Sequence, residues 1–383
     1  MKRIYLDHQA WTPVDSRVLA SMDPWLRGLS GNPSAAHAEG KAAFVALEEA
    51  RTQVARLLGG DPSGVIFTSG ATEANNLAIL GVGGRHSGRH AIVSAVEHIS
   101  VLNPCRALEK AGYRVSLLPV DSTGRIDPKD VARAITRETS LVSIQAANPE
   151  VGTLQPIREV ARLGREYGVP FHVDGVGAVG RIPLDITADR IDLLTLSSND
   201  LNGPPGAGAL YVRPGVAILP HLLGGGQEGG YRSGTENAAA LVGFGLAAEL
   251  MRSEGPAEVA RLASLRDRLM AGLLAFLGVH LTGARDLRLP QHVSVSVEAV
   301  KGESLVMGLD LEGVAASTGS ACASKTQEPS HVLRALGLRA EEIEGSLVFT
   351  LGRGTTEADI DGCLAILGPL MARLRDLSPL SVR

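Results

Sequence analysis

Along the first two thirds of the chain, short apolar runs alternate with stretches whose apolar residues recur at helical spacing. Val65-Ile66-Phe67-Thr68 stops at Ser69-Gly70, and a helical pattern follows. Ala91-Ile92-Val93-Ser94 stops before Glu97-His98, and another helix follows. Residues 115–120 form a third strand pattern, after which Asp127-Pro128 opens a helix with a capping carboxylate and a proline in the first turn. Residues 141–146, Phe171-His172-Val173, 193–197 and 209–212 complete the strands, with a helix predicted over 157–167. Strands separated by helices mean βαβ units, hence a mainly parallel sheet covered on both faces. Ligands of such sheets sit beyond the carboxyl ends of the strands. Chemistry is therefore expected at Ser69, Gly70, His98, Asn148, Asp174, Asn199 and Asp200, which follow strands.

The pattern changes after Gly224-Gly225-Gly226. Helical patterns over 236–251 and 258–277 lead to an alternating strand over 293–297, then to Leu347-Val348-Phe349-Thr350 and a terminal helix over 355–377. The expected organisation is a large α/β domain over 1–245 and a smaller α+β domain over 246–383. The N-terminal segment is free to pack with the small domain.

Composition narrows the function classes. Lys+Arg 37 against Asp+Glu 41 gives a net charge of −4, so no basic excess points to nucleic acid or an anionic membrane. Aromatics at 3% leave few platforms for stacking bases. The apolar fraction of 44% excludes a disordered chain. No run approaches the ~20 apolar residues that span a bilayer. The N-terminus reaches Asp7 before any apolar segment forms, so a signal peptide is not expected. The three cysteines, Cys105, Cys322 and Cys363, include no C-x-x-C pair and read as those of a reduced, cytoplasmic protein. Cys363 falls in a helical stripe with Ile360, Leu364 and Leu367, and Cys105 near a helix start; both are expected to be buried.

Several motifs in order resemble the class V aminotransferase fold, specifically cysteine desulfurases of the iron–sulfur assembly type. They are Gly31-Asn32-Pro33-Ser34, Thr68-Ser69-Gly70-Ala71-Thr72-Glu73-Ala74-Asn75-Asn76, Glu97-His98 and His172-Val173-Asp174. Gly224-Gly225-Gly226-Gln227-Glu228, Arg232-Ser233-Gly234-Thr235-Glu236-Asn237, Ser320-Ala321-Cys322, Glu328-Pro329-Ser330-His331 and Leu351-Gly352-Arg353 follow. The resemblance implies a homodimer with pyridoxal phosphate between the domains, L-cysteine as substrate, and a mobile loop carrying a sulfur-accepting Cys322. Gly70, Ala71 and Thr72 lie where a strand meets a helix start, which suits a phosphate. By resemblance Thr235 reaches the phosphate across the dimer, and Ser197 also contacts the cofactor. The resemblance also implies that His98 stacks on the ring and moves protons and that Asp174 keeps the ring nitrogen protonated, which makes the cofactor an electron sink. It implies further that Arg353 and Asn32 hold the substrate, the guanidinium suiting a carboxylate.

One departure matters most. The family carries its Schiff-base lysine after a Ser-x-His pattern on the strand following Asp174, and here that segment reads Ser197-Ser198-Asn199-Asp200. Two ring contacts are also missing: Asn148-Pro149-Glu150 stands for Asn-Asn-Glu, and Gly177 for the glutamine of Asp-x-x-Gln. An arginine normally found after Gln227-Glu228 is Gly229. The six lysines are Lys2, Lys41, Lys110, Lys129, Lys301 and Lys325, none of them between 129 and 301. Pyridoxal phosphate is therefore expected to be held non-covalently, weakly or not at all.

Two readings follow. In the first, the protein is an active but slow cysteine desulfurase, with Cys322, His98 and Asp200 as its catalytic groups. In the second, it is a sulfur-carrier or assembly protein without desulfurase activity. Cys322 would then hold sulfur, or ligate a 2Fe–2S cluster shared with a scaffold partner.

Overall fold

The structure is a computed structural model, and it describes residues 3–28, 31–85, 88–319 and 329–377. Its first part comprises β1 (Ile4–Tyr5), α1 (Ser16–Arg27), α2 (Ala38–Leu58), β2 (Val65–Thr68), α3 (Ala71–Arg85), β3 (His90–Ser94) and α4 (Ile99–Lys110). Next come β4 (Arg114–Leu118), α5 (Pro128–Ala134), β5 (Thr139–Gln145), α6 (Ile157–Tyr167), β6 (Phe171–Asp174), β7 (Leu193–Ser197) and β8 (Gly208–Val212). The rest comprises α7 (Ala238–Leu274), β9 (Val279–Leu281), β10 (His292–Val297), α8 (Gly302–Leu311) and β11 (Val314–Ala315). The chain ends with α9 (His331–Ala335), α10 (Ala340–Glu344), β12 (Ser346–Thr350) and α11 (Glu357–Leu377).

Seven strands form the main sheet in the order β2-β8-β7-β6-β5-β3-β4. Only β8 runs against its neighbours β2 and β7; the other pairs are parallel. The α/β architecture with a mainly parallel sheet is thus the one the apolar pattern predicts. β2, β3, β5, β6 and β7 all deliver their carboxyl ends to one edge. Every residue of β5, β6 and β8 is buried, which explains their continuous apolar runs.

The small sheet is antiparallel, in the order β12-β10-β9. β1 pairs with β11 in parallel, and Leu6 joins the small apolar core with Val293, Phe349 and Leu367. The two helical patterns expected over 236–251 and 258–277 form a single helix, α7, with Pro256 inside it. Pro256 and Arg252, whose carbonyl it cannot serve, are both exposed, so water can meet the lost hydrogen bond. The expected boundary at residue 245 lies within α7. Its residues up to Met251 pack in the large core and those from Leu262 in the small core, so one rigid rod ties the two.

Gly245 lets α7 seat against α2: a Cβ there would stand 2.5 Å from the Cα of Ala50. Gly245→Val should cost about 1–3 kcal/mol of stability through overpacking. A chemical denaturation midpoint unchanged from wild type would contradict the close approach.

Candidate active site

Gly70 turns β2 into α3, and a Cβ on it would meet nothing within 4 Å. The first-turn N–H groups of α3, at Ala71 and Thr72, have no acceptor within the helix. A Cβ on Gly208 would come within 2.7 Å of the Gly70 backbone, so that glycine lets β8 pass behind the turn. Beside it Ser69 N–H donates to Glu73 Oε2 (2.8 Å), and Arg232 Nε donates to Glu73 Oε1 (2.9 Å). The glycine-rich loop of Thr235 is thereby anchored on the same turn.

Asp174 ends β6 and is 5% exposed. Val176 N–H donates to its Oδ1 (3.1 Å) and Asn75 Nδ2 to its Oδ2 (2.8 Å). Asn75 also donates to Ser100 Oγ (2.9 Å), which lies 2.8 Å from Nδ1 of His98. His98 caps α4, and the Ser100 N–H donates to the same Nδ1 at 3.1 Å. That acceptor role assigns the neutral ring its proton on Nε2. Burial pushes the Asp174 carboxyl up and the His98 imidazole down, and each group partly offsets the shift of the other. Asn75 stands in the motif over 68–76, but the motif assigns it no role; it shares a helix face with Ala78, Ile79 and Val82, all fully buried. A lone amide on such a face is the signal that was available.

Asp200 lies in a 3-10 turn, Asn199–Leu201, just past β7. Burial raises its carboxyl to about 6; Arg181 opposes the rise, Asp174 adds to it, and the Ser197 hydroxyl hydrogen-bonds it. Arg181, buried, donates from Nη2 to the Asp200 carbonyl at 2.7 Å. The turn thus carries a carboxyl group with a guanidinium beneath it. Lys41 lies in α2, Lys110 closes α4, Lys129 opens α5, and Lys301 precedes α8. Among the described residues, none of these lysines enters the His98, Asp174 and Asp200 contacts.

The backbone at Pro149 and Gly177 is held from the start of β10. His292 Nε2 donates to the Pro149 carbonyl (2.8 Å), and Gln291 Nε2 to the Gly177 carbonyl (3.1 Å). The Gln9 amide stands 3.2 Å from where a Cβ on Gly177 would be, so it fills part of the space beside that glycine. Asn32 and Thr235 line one pocket of about 470 Å³ with Trp25 and Asn237. Arg353 lies apart from them, in a cleft of about 590 Å³ with His8, Asp15 and Asn202. Cys322 and Lys325 fall outside the described residues. Cys105 and Cys363 are buried, their thiols pushed up to about 12, so neither supplies a ready thiolate. Among the described residues, no group of three or more His, Cys, Asp or Glu could hold a metal ion. No described helix is long and apolar enough to cross a membrane.

The residues present fit pyridoxal phosphate held without a covalent bond. The open Gly70 turn suits its phosphate and the buried Asp174 carboxyl its ring nitrogen, while Asn75 Oδ1 is buried without a hydrogen-bond partner. Asp200 offers no amine at the turn after β7, and Lys41, Lys110, Lys129 and Lys301 lie on other elements.

Glu97, next to His98, is fully buried, and burial raises its carboxyl to about 8 from an ordinary 4.5. Ser94 Oγ and Gln145 N–H donate to its Oε1 at 2.5 and 3.0 Å. The folded state keeps this proton where the unfolded chain has lost it, so the group destabilises the fold progressively as pH rises from about 4.5 to about 8. Glu97→Gln keeps the acceptor and removes the titration. Its stability should fall less steeply with pH than that of wild type, by up to about 1.4 kcal/mol per pH unit. Parallel slopes in denaturation between pH 5.5 and 7.5 would contradict a protonated Glu97.

Comparison with known proteins agrees with this geometry. A family model described as aminotransferase class-V matches residues 4–362. A protein of Archaeoglobus fulgidus named cysteine desulfurase IscS 1 is 46% identical over 380 residues, covering 98% of this chain and 99% of its own. The cysteine desulfurase IscS of Dictyoglomus turgidum is 45% identical over 383 residues, covering 99% of this chain and 97% of its own. Among solved structures, a NifS-like protein superposes with a TM-score of 0.92 at 35% identity, covering 97% of this chain and 100% of its own. SspA in complex with cysteine gives 0.81 at 35% identity, covering 91% and 98%. By its sequence, its sheet order and the residues gathered at the strand ends, the chain belongs to the class V aminotransferase family, within its cysteine desulfurase group.

Proposed function

We propose that this protein mobilises sulfur from L-cysteine for iron–sulfur cluster assembly, as a cysteine desulfurase that holds pyridoxal phosphate without a lysine link. The observation that carries the reading is the hydrogen-bonded chain from His98 through Ser100 and Asn75 to Asp174. It presents an imidazole and a carboxyl side by side at the strand ends, where a planar cationic ring can meet both. Pyridoxal phosphate, when bound, supplies an electron sink.

Gly70, Ala71 and Thr72 would hold its phosphate, with Thr235 supplied by the second subunit of a homodimer. Ser197 supports the Asp200 carboxyl from the end of β7. His98 carries a movable proton on Nε2. With its carboxyl near 6, Asp200 is mostly ionised at neutral pH and can accept a proton from a substrate amine. Arg353 would hold the substrate carboxylate, and Asn32 would also contact the substrate. The Cys322 thiolate takes the sulfur as a persulfide, which by atom balance leaves alanine. It then hands the sulfur to an acceptor such as an iron–sulfur scaffold protein, or ligates a 2Fe–2S cluster shared with it. Losing the lysine removes its transfer step, so turnover is slow.

Asp200→Lys should tighten pyridoxal phosphate binding and raise sulfide release from L-cysteine at least tenfold. It restores an amine and reverses the charge beside the phosphate site, although Pro149 and Gly177 keep the gain below that of a complete site. Equal sulfide release by both proteins, with added cofactor, would remove Asp200 from this account. Cys322→Ala should abolish persulfide labelling while leaving the melting temperature unchanged. Labelling that persists would move the sulfur-carrying role to another residue.

A further inference from the structure

Arg353 does not wait with an empty guanidinium. Its Nη1 donates to Glu254 Oε2 at 2.7 Å and to Asp15 Oδ2 at 3.0 Å. Arg17 grips both carboxylates from the other side, at 2.6 and 3.0 Å on Glu254 and 2.8 and 3.0 Å on Asp15. The two acids differ in how firmly they are placed. The Asp15 side chain is 8% exposed and also caps α1 by accepting from Arg17 N–H at 2.9 Å. The Glu254 side chain is 41% exposed and stands on an open face of α7, while that of Arg353 is 32% exposed.

The backbone beneath Arg353 is pinned by the same helix. One turn after Glu254, Glu258 accepts from Arg261 Nε and Nη2 at 3.0 and 2.8 Å. Arg261 donates in turn to the carbonyls of Gly352, Arg353 and Thr355 at 3.2, 3.0 and 2.6 Å. The base of Arg353 is thus fixed, and its tip is held by one buried and one exposed carboxylate. Beside that tip opens the cleft of about 590 Å³ lined by Tyr5, His8, Asp15 and Thr355.

We propose that Glu254 competes with the carboxylate of the amino-acid substrate for Arg353, and so sets how tightly the protein holds carboxylate-bearing ligands. An ion pair this exposed is weak and screened by salt. A ligand carboxylate that takes the planar guanidinium in bidentate fashion forms the stronger contact, so it can displace Glu254. Glu254 then remains paired with Arg17, and no charge is stranded by the exchange. Asp15 stays in place as the fixed partner. The proposal rests on Arg353 being the substrate clamp, and its test separates the two ideas.

The probes are S-methyl-L-cysteine, which cannot give up a persulfide sulfur from a free thiol, and 2-(methylthio)ethylamine, the same molecule without its carboxylate. Both are titrated calorimetrically into wild type, Glu254→Gln, Glu254→Ala and Arg353→Gln, each with added pyridoxal phosphate. Both Glu254 variants should bind S-methyl-L-cysteine about three- to fivefold more tightly and the amine within twofold of wild type. Two substitutions at a half-exposed helix position guard against one of them failing to fold. A gain shared equally by both ligands would be a general change of the cleft and overturns the competition. Unchanged affinity in the Glu254 variants, with weaker S-methyl-L-cysteine binding in Arg353→Gln, overturns the competition and leaves the clamp standing. If Arg353→Gln alters neither ligand, the clamp itself fails and the proposal fails with it.

Discussion

A carboxyl group buried at the end of a parallel strand is the constraint around which this protein is arranged. Water cannot solvate Asp174, so an N–H from the next turn and an amide from α3 must do so. Asn75 can serve only because α3 begins directly after Gly70, which sets its register against β6. The second N–H of the same amide reaches Ser100 and thereby orients His98. One asparagine therefore links the Gly70 turn, the buried Asp174 carboxyl and the His98 imidazole. The glycine at 208 belongs to the same arrangement, because any side chain there would push the Gly70 turn away.

The second feature is charge placement around Asp200. An anion near Asp174 would be costly in a buried site, yet Arg181 lies buried beneath the turn and offsets it. The same guanidinium fixes the turn by donating to the Asp200 carbonyl. Position 200 therefore sits in surroundings that tolerate a carboxylate. Positions 149 and 177 have their backbone engaged by His292 and Gln291.

α7 joins these parts mechanically. Its first half is buried in the large core, its second half in the small one, and the half-buried Glu254, Glu258 and Arg261 lie between them. Those three residues control both the backbone and the tip of Arg353. The placement of that arginine and the packing of the two cores thus meet on one helix.

The sequence by itself determined the alternation of strands and helices and the family to which the chain belongs. Period-two and continuous apolar runs, together with glycine at turns, are local signals and survive without coordinates. It also showed that no lysine lies between Lys129 and Lys301, since such an absence is visible in a string of letters. Tertiary structure alone decided that α7 runs through Pro256, because two cores clamp its halves and outweigh one lost hydrogen bond. It alone brought Asn75 to Asp174, Gln291 to Gly177 and Glu254 to Arg353, pairs separated by about a hundred residues. Such contacts depend on strand order and helix packing, which no local pattern encodes. The same holds for the raised carboxyls of Glu97 and Asp200, because burial, not residue type, sets the cost of their charge.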